Sequence, residues 1–123
     1  MKWLAILLAL GAMAQEKRLD FGRDVRPVLS ENCFHCHGQD AKTRMAGLRL
    51  DVAGADLNKV LARVTHANPA LRMPPAASKK SLTDGQVALL KRWVAEGGAY
   101  AGHWAFVPPK PQPGGSIDGF VRA

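Results

Sequence analysis

The sequence predicts a mostly α-helical domain built from about three short helices and long ordered loops. Apolar residues recur at helical spacing in three segments, and each segment follows a residue that can cap a helix. Alternation of apolar and polar residues does not extend beyond residues 48–50, so no β-sheet is expected. The 123 residues include 12 glycines and 8 prolines, which favour loops and leave a small core that needs a further stabilising element.

The first predicted helix begins with Asp24 as its N-cap, contains Pro27 in its first turn and runs to about Cys33. Residues 33–50 are expected to form a loop region. The second helix begins after Asp56 and ends where Pro69 holds its predecessor out of the helical conformation.

The third helix carries the clearest pattern in the chain. Thr83 and Gln86 have the spacing of a capping box, and Leu82 and Val87 flank it at the positions of a hydrophobic staple. The apolar stripe of this helix is Val87, Leu90 and Val94, with Trp93 at its edge, and two glycines at residues 97–98 end it.

Residues 1–14 are predicted to be a cleaved signal peptide. Lys2 supplies one positive charge, residues 3–10 are apolar, and Ala12 and Ala14 fit the small-x-small pattern before a cleavage site. The apolar run is about half of the ~20 residues that span a bilayer, so a membrane anchor is not favoured. We therefore expect a periplasmic or otherwise exported protein in an oxidising compartment.

The net charge of +7 at pH 7 does not indicate a nucleic-acid-binding protein. Basic residues are scattered, never more than two occur in succession, and no set of aromatic residues lies among them for base stacking. The charge instead favours a protein partner with an acidic docking face.

The sequence C-x-x-C-H at residues 33–37 is the attachment signature of c-type haem. Thiols three positions apart, Cys33 and Cys36, can each add to a vinyl group of one porphyrin, and His37 is then held beneath the iron as its proximal ligand. The motif predicts one covalent haem, whose apolar surface would complete the small core.

Three other interpretations of Cys33 and Cys36 remain open at this stage. A redox-active dithiol would require a βαβ pattern, which the sequence lacks. A zinc site would need His66 and His103 as well, without the usual second paired spacing. A structural disulfide is the third.

Among the candidates for the distal iron ligand, which are Met45, Met73, His66 and His103, the sequence favours Met73. Prolines hold residues 72–75 extended, and a stiff segment positions a thioether at little entropic cost. Met45 follows His37 too closely to reach the opposite face and is expected to be ordinary packing. His66 is expected at the surface at a helix end, and His103 lies beyond the last helix.

Five stretches together resemble the planctomycete-type cytochrome c domain: residues 21–33, the haem motif with Gly38, and residues 47–51, 72–75 and 89–94. The resemblance spans about residues 21–100. It implies a class I-like cytochrome c fold, haem c bound through Cys33 and Cys36, and His37 and Met73 as the proximal and distal iron ligands.

The resemblance also suggests a domain organisation. Residues 15–101 are expected to form the cytochrome c domain, with a shorter loop at residues 51–58 than the family usually has. Residues 102–123 form a tail rich in proline and glycine, which resembles the start of a linker to large downstream domains.

These observations predict an exported carrier of single electrons rather than an enzyme, because His37 and Met73 together leave no open position on the iron. The alternative is a haem-bearing N-terminal module of a larger, truncated or split exported protein. A gas sensor or a peroxidase-like site would require a weak or absent bond from Met73.

Overall fold

The computed structural model describes residues 17–109 and residues 118 and 121. The predicted signal peptide and most of the predicted tail lie outside the described residues. Between residues 17 and 109 the chain consists of helices, turns and loops without any strand, so the predicted mostly α-helical fold is confirmed. No helix among the described residues is long and apolar enough to cross a membrane.

Four α-helices follow one π-helical turn, which covers Phe21–Val25. They are α1 (Arg26–Asn32), α2 (Phe34–His37), α3 (Leu57–Val64) and α4 (Asp84–Ala95). Short 3-10 turns at Ala76–Ser78 and Trp104–Phe106 complete the described elements.

The first helical segment begins earlier than predicted, because Asp20 rather than Asp24 is the cap. The backbone N–H of Arg23 donates to Asp20 Oδ1 at 2.8 Å, and the N–H of Asp20 donates to Asp24 Oδ2 at 2.8 Å. Two carboxylates thus close the wide π-helical turn from both sides. The guanidinium of Arg23, which donates to Asp24 at 2.7 Å, lowers the pKa of Asp24 to about 2. Pro27 lies at the start of α1, as expected.

The first helix, α1, ends at Asn32, close to its predicted end at about Cys33. The Cys33 φ of −125° interrupts the helical path between α1 and α2, although the Cys33 N–H still donates to Leu29 O at 2.8 Å. The turn that follows, α2, lies in the segment predicted as a loop. The sequence motif therefore occupies a short helix of its own.

Helix α3 begins as predicted, with Asp56 accepting from the N–H groups of Asn58 and Lys59. It ends at Val64 rather than near Pro69, so the predicted end is wrong. The physical reason is Arg72, whose guanidinium binds the carbonyl oxygens of residues 66 and 67 at 2.7 and 3.1 Å and holds that backbone in a turn.

Helix α4 confirms the predicted capping box. Thr83 Oγ1 accepts from the N–H of Gln86 at 3.2 Å, and Gln86 Oε1 accepts from the N–H of Thr83 at 2.9 Å. The helix ends before Gly97 and Gly98, which both have positive φ angles. Trp93 was expected at the edge of the stripe but is buried.

The core lies where the π-helical turn, α1 and α4 meet. Its cluster of buried side chains consists of Phe21, Val25, Val28, Leu29, Leu90 and Trp93. Three aromatic rings, which we call the aromatic cluster, stack within and beside it: Phe21, Trp93 and Tyr100, with ring centroids 4.7 to 5.7 Å apart. Such pairs add about 0.5–1.5 kcal/mol each beyond the area they bury.

Helix α3 packs close to the end of α4 at a glycine. A Cβ atom on Gly98 would lie 2.3 Å from Leu57 Cδ1, and the φ of this glycine is +62°. Both the tight approach and the left-handed backbone favour glycine at this position.

We expect Gly98→Ala to lower the free energy of unfolding by about 1 to 2 kcal/mol, because it strains the backbone and displaces Leu57. Urea unfolding of the purified protein measures this. Gly102→Ala is the control, since a Cβ there meets nothing within 4 Å, and its effect should stay within about 0.5 kcal/mol. Equal effects of the two substitutions would contradict the assigned contact.

Candidate functional site

The C-x-x-C-H segment, residues 33–37, forms one compact turn, which we call the attachment turn. The His37 N–H donates to the Cys33 carbonyl oxygen at 2.8 Å, which brings the first and last residues of the motif together. Both thiols are free and half-buried, and Cys33 packs against the core cluster. The turn therefore presents two thiols and one imidazole from five consecutive residues.

The Cys33 thiol lies in an environment that changes its acidity. Burial raises its pKa to about 11, and the nearby ammonium group of Lys80 opposes part of this rise. Lys80 reaches this position because its Nζ donates to the carbonyl oxygen of Glu31, near the end of α1. At neutral pH the Cys33 side chain is accordingly a protonated thiol in an apolar environment.

His37 presents its two ring nitrogens to different environments. Nδ1 is buried and has no hydrogen-bond partner, which is rare for a polar atom inside a protein. Nε2 is the nitrogen left to bind a ligand. The backbone of His37 is firmly held, since its carbonyl oxygen accepts from the N–H of Leu50 at 2.7 Å.

The loop after α2 folds back onto the motif. The N–H of Met45 donates to the Cys36 carbonyl oxygen at 2.8 Å, and the Arg44 guanidinium donates to the carbonyl oxygens of Gly38 and Gln39 at 3.0 and 2.7 Å. The backbone of Met45 therefore lies directly beside the C-x-x-C-H turn. Its side chain is 61% exposed, so the expectation that it is ordinary packing is wrong.

Gly38 allows the backbone to leave α2 at a close approach. A Cβ atom on this residue would lie 2.3 Å from the carbonyl oxygen of Phe34, which is backbone and cannot move aside easily. The turn that carries His37 therefore favours glycine at position 38.

Met73 lies in a separate part of the structure. Its N–H donates to the Arg63 carbonyl oxygen at 3.0 Å, which attaches it to the end of α3, and its side chain is half-buried. Residues 72–75 are non-helical, as expected, and the Met73–Pro74 peptide bond is cis. Among the described residues, no hydrogen bond joins Met73 to the C-x-x-C-H turn.

The two histidines outside the C-x-x-C-H segment, His66 and His103, each accept a local backbone hydrogen bond. His66 follows α3 and is half-buried rather than a surface residue, and its Nδ1 accepts from the N–H of Asn68 at 3.0 Å. Nδ1 of His103 accepts from the N–H of Ala105 at 3.2 Å.

Within the described part of the chain, the alternatives to haem find no support. Histidine, cysteine and acidic side chains do not come together there in any group of three or more that could hold a metal ion. The thiols are not joined in a disulfide, and the βαβ unit of a thioredoxin-like dithiol protein is missing. Two free thiols and a histidine with one enclosed nitrogen fit a covalently bound haem.

Comparison with known families agrees with this assignment. Residues 33–77 match the family model of planctomycete cytochrome C, which confirms the resemblance over this segment. A cytochrome c domain implies covalently bound haem c and a role in carrying electrons, and such domains are typically exported. No curated protein and no solved structure gave a significant match to the chain.

We expect Gly38→Ala to destabilise the protein by about 2 kcal/mol or more, because the added methyl group overlaps backbone atoms of α2. The ratio of haem absorbance to protein in the purified product should fall as well. Gly85→Ala is the matched control: its Cβ lies in the first turn of α4 with its nearest contact at 3.9 Å. That substitution should leave stability unchanged or raise it by up to about 1 kcal/mol. Normal haem content in Gly38→Ala would show that the turn tolerates a side chain.

Proposed function

We propose that this cytochrome c domain is an exported protein with a single haem and carries single electrons between other proteins. One observation carries the proposal: a single turn packed against the core presents two free thiols and an imidazole whose second nitrogen is enclosed. Cys33 and Cys36 would hold the haem as thioethers, and His37 would bind the iron through Nε2.

Attachment of the haem requires no external oxidant. Each thiol adds across one vinyl double bond, so that a carbon–sulfur bond forms and the thiol hydrogen goes to the other vinyl carbon. Two vinyl groups account for both cysteines, and these are the only two in the chain. The stoichiometry supports one haem.

Met73 is our proposed distal ligand. Its segment is held at one end by the Arg63 carbonyl oxygen, so the thioether would be ordered at a reduced entropic cost. A soft thioether favours ferrous iron and raises the reduction potential. Met45 is a poorer candidate, because its backbone is bonded to Cys36 on the attachment turn itself.

His66 is disfavoured by the hydrogen bond that it already makes. Its Nδ1 accepts from the N–H of Asn68, so in the neutral ring the proton resides on Nε2. A protonated Nε2 has no lone pair for iron. Ligation by His66 would therefore require the loss of the bond to Asn68.

The haem supplies one-electron exchange between the ferric and ferrous states. If His37 and Met73 both bound the iron, no position on it would stay open for a substrate, which supports a carrier rather than an enzyme. The chain's part is to hold the two axial side chains and to exclude water from the porphyrin.

A partner with an acidic docking face is consistent with the charge near the attachment turn. Lys79 and Lys80 are exposed, and the contact of Lys80 with Glu31 brings a positive charge next to Cys33. With the net charge of +7, such a surface would speed association with an acidic protein at low ionic strength. Export follows from the signal peptide expected at residues 1–14.

Covalent attachment is tested by producing the protein with its leader in a host that matures c-type cytochromes. The exported chain should gain the mass of one haem, and acid–acetone extraction should not remove it. Combined Cys33→Ala and Cys36→Ala should abolish the mass gain and leave a largely unfolded, protease-sensitive product, because the haem completes the core. A stable, folded and colourless wild-type protein would refute the proposal.

The distal ligand is tested by optical spectroscopy and carbon monoxide binding. With Met73 on the iron, the oxidised protein should show a weak sulfur-to-iron charge-transfer band in the far red. Met73→Ala should remove the band, open the reduced haem to carbon monoxide and lower the potential.

Met45→Ala and His66→Ala are the matched controls for Met73, and both should leave the band and the carbon monoxide response unchanged. If His66→Ala, rather than Met73→Ala, opened the haem to carbon monoxide, the ligand would be a histidine. The proposed carrier function would still hold, but the expected reduction potential of the haem would be lower than with a methionine ligand.

A further inference from the structure

Leu50 connects the attachment turn to Tyr100, a residue fifty positions further along the chain. The residue is 3% exposed, and both of its backbone groups are used. Its N–H donates to the His37 carbonyl oxygen at 2.7 Å, and its carbonyl oxygen accepts from the Tyr100 hydroxyl group at 3.3 Å. One buried peptide unit on each side of Leu50 thus joins Tyr100 to His37.

Tyr100 is itself held in place by the aromatic cluster. Its ring centroid lies 4.7 Å from that of Phe21 and 5.2 Å from that of Trp93. The indole N–H of Trp93 donates to the carbonyl oxygen of Ala99 at 2.9 Å, which fixes the backbone immediately before Tyr100. Burial raises the pKa of Tyr100 to about 12, so its hydroxyl group remains a donor at neutral pH.

We propose that Tyr100 is a positioning residue for His37 and acts through the backbone of Leu50. The inference rests on the proposed role of His37 as the proximal iron ligand. Tyr100 lies outside residues 33–77, the segment that matches the family. Its hydroxyl group restrains the peptide that holds the His37 carbonyl oxygen, and this restraint limits how the imidazole plane turns about the bond to iron.

The environment of the His37 ring explains why a restraint on its backbone has consequences for the site. The side chain of His37 has no hydrogen bond at Nδ1 to fix the ring plane. Orientation of the ring then depends on the backbone that carries it and on packing. The bond from Leu50 is the backbone contact of His37 that originates outside its own turn.

The experiment uses Tyr100→Phe in the haem-loaded protein, since phenylalanine keeps the ring and removes only the hydroxyl group. In the ferric protein, NMR resonances of the His37 ring that are shifted by the iron should move. The midpoint potential should shift as well. Amide hydrogen exchange at Leu50 should become about fivefold faster, which corresponds to the loss of one ordinary hydrogen bond.

Thr83→Val is the matched control, because it also removes one hydroxyl group that makes a backbone hydrogen bond. Thr83 caps α4 by accepting from the N–H of Gln86, and among the described residues it makes no hydrogen bond to Leu50 or His37. This variant should lose stability to a similar degree while the His37 resonances and the potential stay at their wild-type values.

A change in the His37 resonances in Tyr100→Phe but not in Thr83→Val supports the proposal. If Tyr100→Phe leaves the His37 resonances and the potential unchanged while Leu50 exchange rises, Tyr100 is merely structural and the proposal is wrong. The same changes in both variants would also refute it, because they would reflect lost stability alone. Absence of iron-shifted His37 resonances in the wild-type protein would instead refute the ligation on which the proposal rests.

Discussion

The aromatic cluster is the interaction on which the rest of the described structure depends. Phe21 belongs to the π-helical turn, Trp93 to α4, and Tyr100 to the segment after α4, so three distant parts of the chain meet in one set of ring contacts. Phe21 and Trp93 are buried and Tyr100 is half-buried, and the other buried hydrophobic side chains of the described residues are all aliphatic. This small core holds the attachment turn through the packing of Cys33 and Phe34 against the core cluster, and Leu50 adds one hydrogen bond to His37.

The attachment turn places some of its polar groups against the protein interior and leaves one ring nitrogen of His37 outside it. The Cys33 thiol and His37 Nδ1 face the protein, where burial keeps the thiol protonated and the ring nitrogen away from water. The other ring nitrogen is left for a ligand. Gly38 is the condition for this arrangement, because only a residue without a side chain leaves α2 so close to the Phe34 carbonyl oxygen.

Features encoded within a few residues could be predicted from the sequence, and features that depend on distant contacts could not. The capping box at Thr83 and Gln86 was confirmed because both partners lie in one turn. The end of α3 was predicted too late, since the guanidinium of Arg72 determines it from beyond the helix. The bond from Tyr100 to Leu50 spans fifty positions and has no local pattern.

The sequence distance between the C-x-x-C-H residues and Tyr100 implies an order for the steps of folding. The groups that would capture a haem lie within residues 33–37, so they are already neighbours in the unfolded chain. The restraint that we propose for Tyr100 can act only after the chain between residues 50 and 100 has folded, at the entropic cost of closing that long loop. On this proposal, capture of the cofactor would be a local, early event, whereas the final orientation of its histidine ligand would wait for the completed fold.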